Sequence, residues 1–215
     1  MNELTRTDIF HTSGSAFRLN SSYNNILPNS FFPQSRLSVD EEDSGDINGD
    51  DNMILNYSKI MTNVNDLKEI DRTNPYQVVG AYIHTICNYP SDNFLPMLQF
   101  LCGDNQPISN LMKQNIDDRM HQNEKYKFIG KSYFKGATSD NDYTPTTPYE
   151  IEVKENPYTD IEDGYKRLFI TSGGADSDRP ITVRLAKDGN YYLWSDSFIA
   201  ALTDIRKPES SNPWA

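Results

Sequence analysis

Ser172 stands beside Gly173 and Gly174, and a serine in a glycine loop is the residue type from which a nucleophile is made. Such a hydroxyl needs a base within hydrogen-bond reach. The chain has three histidines, His11, His84 and His121. His11 lies in an N-terminal arm, the other two fall on helical patterns, and no spacing ties any of them to Ser172. The glycine pair lacks the elbow of an α/β-hydrolase nucleophile and matches neither phosphate-binding glycine spacing. It reads as a turn in which glycine supplies positive φ. His84 and Cys87 share one helix face and Cys102 follows, but with no paired cysteines this is a poor zinc set. His84 reads as a core imidazole, and the two cysteines as free buried thiols of a reducing compartment. The carboxylate pairs Asp117-Asp118 and Glu162-Asp163 sit in polar runs, where solvated charge is the expectation.

One acidic stretch has calcium-ligand spacing. Asp46, Asn48 and Asp50 match the first oxygen ligands of an EF-hand-like loop. The turn position that needs glycine holds Asp51, and the position that needs a bidentate carboxylate holds Tyr57. The stretch reads as a solvated linker, and neither a metal nor any other cofactor is expected.

What remains is binding. Asp176, Asp178 and Arg179 occupy a polar loop, with Arg184 on the strand behind it. They form either a polar site or an internal ion-pair network that pins the loop, and the network is the favoured reading. The aromatics Tyr133, Phe134, Tyr143, Tyr149, Tyr191, Tyr192 and Trp194 exceed what alternating strand faces need for burial. On a curved sheet some of them line a groove. The candidate binding residues are therefore Tyr133, Tyr143, Asp176, Arg179, Arg184, Tyr192 and Trp194.

These residues need elements to hold them. Asn74-Pro75 is an N-cap followed by proline at the first helical position, and Pro90 stops the run. Between them Val79, Tyr82, Ile83, Ile86 and Tyr89 mark one face of a helix. A shorter helix runs from Phe94 to Leu101 and ends at Gly103. Pro107 opens a third, with Ile108, Leu111, Met112, Ile116 and Met120 as its apolar stripe. Met53 to Ile70 reads equally as strand or helix. After Tyr126 the period becomes that of strands: Tyr149, Ile151 and Val153 alternate with charges, Tyr165–Ile170 follows, and Ile181, Val183 and Leu185 alternate with polar residues. Asp188-Gly189 then predicts a tight hairpin with positive φ at both residues, returning through Asn190–Trp194. Helices followed by an antiparallel meander make an α+β fold, with the sheet flat or curved in a nuclear-transport-factor-like or cystatin-like manner. Trp214 is expected to pack back onto the domain, with Arg179 or Arg206 tying the neighbouring loop to a carboxylate.

The segment before this is different. Residues 1–52 carry nine acids and three bases, with no apolar periodicity, and read as an acidic disordered arm broken by Ile26-Leu27 and Phe31-Phe32. Residues 53–73 read as a connecting segment and 74–215 as a single domain. The formal net charge of −11 opposes nucleic acid and anionic membrane as partners. No run approaches the roughly 18 apolar residues of a membrane span, and the first residues have no apolar leader core.

Several blocks resemble an uncharacterised family of bacterial proteins. They are Ser132 to Thr138, Asn141 to Pro145, Ser172 to Pro180, Gly189 to Trp194, Ile205 to Pro208 and Asn212 to Ala215. The resemblance covers about 74–215, departs from the family pattern at Ser195-Asp196, where a glutamate is expected, and implies a domain boundary but no catalytic residue. The reading is a non-enzymatic cytoplasmic protein that acts through a protein partner. The alternatives are a small-molecule-binding or hydrolytic enzyme with a cone-shaped cavity, or a subunit of a larger assembly; the oligomeric state is left open.

Overall fold

The computed structural model describes residues 52–211 and Pro213. The acidic arm, its calcium-like spacing and Trp214 lie outside the described residues. The fold is α+β. Helix α2 (Pro75–Ile86) is its axis, and every residue from Val78 to Ile86 is buried. Asn74 caps it by accepting from the Tyr76 amide at 3.0 Å, and Pro75 fills the first turn, where its missing N–H costs nothing. A helix buried all round belongs to the centre of a core. The single face read from periodicity understates this, because His84 and Thr85 on its other sides are covered too.

The sheet runs in the order β1 (Asn52–Tyr57), β2 (Tyr149–Lys154), β4 (Tyr165–Ile170), β5 (Arg179–Leu185), β6 (Tyr191–Leu193), with β3 (Asp160–Glu162) paired to β4. All pairs are antiparallel, and the sheet curls into a half-barrel. Helix α2 touches β1, β2, β4, β5 and β6. Leu55, Ile151, Val153, Leu168, Ile170, Ile181, Val183 and Leu193 form the inner wall, each buried. The approach to β1 is close: a Cβ on Gly80 would meet Leu55 Cδ1 at 2.7 Å.

The stretch from Met53 to Ile70 holds both structures that its sequence allows. It gives the edge strand β1 and, after a turn capped by Asn63, the short helix α1 (Val64–Leu67). With Leu55 and Leu67 in the core, residues 53–73 are part of the packed unit rather than a connector. Helices α3 (Phe94–Cys102) and α4 (Asn110–His121) follow. Ser109, not Pro107, caps α4, its hydroxyl accepting from the Met112 amide at 3.1 Å. Ile116 and Met120 are its buried stripe, while Leu111 is 67% exposed.

The hairpin forms, with a different turn. Ala186 donates to the Asn190 carbonyl at 2.8 Å and accepts from Gly189 at 3.0 Å. The loop is thus three residues, Lys187 to Gly189, and Gly189 alone takes positive φ, at 83°. A type I turn followed by a left-handed glycine needs that one position and leaves Asp188 in ordinary backbone.

Candidate functional site

The seven candidate residues separate into two places. Tyr133 and Tyr143 belong to a buried junction beneath the sheet, about 1% and 0% exposed. The Tyr133 hydroxyl donates to the Ala201 carbonyl at 2.6 Å and the Tyr143 hydroxyl to that of Arg206 at 2.8 Å. Tyr143 also stacks on Phe128. Ser172, the candidate nucleophile, donates to Ser132 Oγ at 2.8 Å and accepts from the Gly174 amide at 3.2 Å. Ser132 in turn donates to the Ile129 carbonyl, so the hydroxyl chain ends in backbone and not in a base.

The glycines of this loop serve closeness, not positive φ; neither is among the left-handed residues. A Cβ on Gly173 would lie 2.0 Å from the Ala137 carbonyl oxygen, and one on Gly174 would lie 2.4 Å from Tyr143 Oη. Gly173 donates to Ser132 and Gly174 accepts from Arg206, both at 2.9 Å. Three segments that are distant in sequence, around Ser132, Gly173 and Arg206, therefore meet through their backbones.

Asp176 and Arg179 sit on the rim of that junction. Asp176 forms an ion pair with Arg206, and Asp178 pairs with Lys154 at 3.3 Å. Arg179 donates to the Asp204 and Ser177 carbonyls, each at 3.0 Å, and not to a carboxylate. The loop is pinned by these contacts.

Arg184, Tyr192 and Trp194 come together elsewhere, on a groove of about 820 Å3 between the α3–α4 loop and the β5–β6 hairpin. Strand register sets Tyr165, Arg184 and Tyr192 side by side across β4, β5 and β6. The Arg184 guanidinium carbon lies 4.8 Å from the Tyr165 ring centre and 4.3 Å from that of Trp194. The two rings meet edge to face at 5.4 Å. Tyr192 donates to Asp188 Oδ2 at 2.7 Å. That bond, with others from Asn190, holds the Asp188 carboxyl down at about 2.

Several residues in and beside the groove were not read from the sequence. The Arg72 guanidinium carbon lies 4.6 Å from the Phe100 ring centre and 5.1 Å from that of Tyr192, which lines the groove. Gln106 donates to the Leu193 carbonyl at 3.1 Å and accepts from Ser195 at 2.9 Å, clamping the loop to the end of β6. Lys187 and Leu185 line the same wall. Tyr165 was within reach of the sequence, since pairing the two strands in register places it opposite Arg184. Nothing in the sequence signals Arg72 or Gln106, whose partners lie far along the chain.

The remaining reactive groups are poorly placed for chemistry. His84 is fully buried, accepts from the Met61 amide at 3.3 Å and packs on Tyr57 at 4.3 Å. Burial pushes its pKa down to about 4, so it is neutral near pH 7. Burial raises the Cys87 and Cys102 thiols to about 12, which leaves them protonated. No helix among the described residues is long and apolar enough to cross a membrane.

No curated protein and no solved structure matches the chain. A family described as a domain of unknown function (DUF6935) matches residues 59–209, which takes in the junction, the groove and helices α1 to α4. The chain belongs to that family.

Proposed function

We propose that this protein is a non-enzymatic, cytoplasmic binding module, and that the groove beside the β5–β6 hairpin takes a segment of a protein partner. The observation that carries the reading is the wall of Arg184, Tyr192 and Trp194 on an open groove, with Tyr165 against Arg184 and Trp194. Aromatic and arginine side chains are the residues that dominate protein interfaces; the rings bring large contact area at small entropic cost, and the guanidinium brings a fork of donors. Support comes also from the groups an enzyme would use: the serine, the buried histidine and both thiols are engaged or neutral, and His84 does not line the groove.

A photo-reactive side chain at Lys187 tests this in cells that make the protein. The same group at Lys113, on exposed α4, is the control. A discrete adduct is expected from Lys187 alone, and it is expected to vanish in Trp194→Ala. Equal labelling from both positions, or an adduct indifferent to Trp194, rejects the groove.

A further inference from the structure

We infer that the groove recognises an acidic segment of its partner, with a carboxylate seated on Arg184. This rests on the binding-module reading and narrows it to one ligand chemistry. The Arg184 guanidinium touches two adjoining rings, Tyr165 and Trp194, yet it makes no hydrogen bond or ion pair among the described residues. The two ring contacts localise the guanidinium, and its N–H donors are left unused. A fixed fork of N–H donors fits a carboxylate through two parallel bonds, which a single ammonium cannot copy.

Lys187, on the same wall, is likewise without a carboxylate partner among the described residues, although the chain carries 31 acids and 20 bases. The acids facing the groove are Asp104 and Asp188. Asp188 already accepts from Tyr192 and Asn190, so it does not neutralise Arg184. Leu185 is 41% exposed on this wall and offers an apolar contact beside the cation. The fit is to a short segment in which acidic and apolar residues alternate. Nucleic acid and anionic membrane are disfavoured, because their dense charge meets the field of a chain of net charge −11. One or two carboxylates are attracted locally, within a screening length of about 8 Å.

The test uses the full chain, labelled with nitrogen-15. The probes are the blocked peptide Glu-Leu-Glu-Leu-Glu, its Gln-Leu-Gln-Leu-Gln counterpart, and free glutarate. The readouts are the Trp194 indole N–H, assigned through Trp194→Phe, and the Arg184 Nε–H. The acidic peptide is expected to move both signals and to bind roughly tenfold more tightly than the glutamine peptide, the scale of one charge-assisted pair. Arg184→Gln should remove that preference, and Arg184→Lys should restore only part of it. Equal binding of the two peptides overturns the carboxylate inference and leaves the groove standing as a binding surface. Glutarate binding as tightly as the acidic peptide overturns the commitment to a protein segment. If neither peptide moves Trp194 while the protein stays folded, the inference and the groove reading fall together.

Discussion

The junction around Gly173 and the groove around Arg184 are built from the same kinds of residue and put to opposite use. In the junction most polar groups are spent internally: tyrosine hydroxyls on carbonyls, serine on serine, and Asp176 on Arg206 at the rim. Thr171 Oγ1 and Arg179 Nε are buried atoms left over. In the groove two adjoining rings also contact a cation, but its hydrogen-bond donors are left over. Buried polar groups must be paired or they cost the fold, so the first arrangement is what stability alone requires. An exposed arginine in contact with two rings and otherwise unpaired is not demanded by stability, and that difference separates a structural from a binding region.

The sharpest way to break the comparison is Gly173→Ala. The new methyl group would strike a backbone carbonyl that cannot rotate away. A loss of roughly 3 kcal/mol or more is expected, the upper range for overpacking, read by urea unfolding. A shift of only a few tenths would show that the junction is soft.

Acid should probe the core beneath it. His84 has its folded pKa depressed to about 4 from an ordinary 6.5, so it contributes stability that is present above 6.5 and lost as pH falls through 4. Below 6.5 the unfolded chain takes up the proton first, and roughly 3 kcal/mol is lost across the window. Unfolding free energies of the wild type and His84→Gln at pH 7 and pH 4 check this. Parallel pH dependence in the two proteins would remove His84 from the explanation.

Gly189→Val addresses the hairpin that carries Arg184 and Tyr192. A β-branched residue at φ 83° is strained by roughly 1–3 kcal/mol, although no side chain crowds the site. Gly189→Asn should cost much less, since asparagine tolerates that region. Equal melting points for the two variants would show that backbone strain is not the cause. Smaller again is Tyr143→Phe, which deletes one hydrogen bond to Arg206 and should cost about 1 kcal/mol. A neutral result there would mean that the junction is held by shape alone.

Much of the fold was legible because its signals are local. The cap at Asn74-Pro75, the stop at Gly103 and the alternation in β2 and β5 each depend on neighbours within a few residues. The type of the hairpin turn was not, since Asp188-Gly189 fits both a two-residue loop and the observed three-residue one. The role of the Ser172 loop was misread for a tertiary reason. Its glycines answer to Ala137 and Tyr143, and a glycine that makes room looks in sequence like one that makes a turn. Likewise Leu111 fits the helical stripe of α4 but is 67% exposed, with no element over it among the described residues. For the groove, three of its residues were identified from strand pattern and aromatic excess. Arg72 and Gln106 join them through contacts some ninety or more residues apart, or across a loop, where composition carries no signal.

The most direct measurement is urea unfolding of Arg184→Gln, set beside the adduct formed from the photo-reactive group at Lys187 in the same variant. A residue kept for a partner should leave stability within about 1 kcal/mol, the worth of an exposed cation–π contact, while the adduct disappears. A loss as large as that of Gly173→Ala, or an undiminished adduct in a fully stable variant, would place Arg184 among the structural residues and contradict the division between junction and groove.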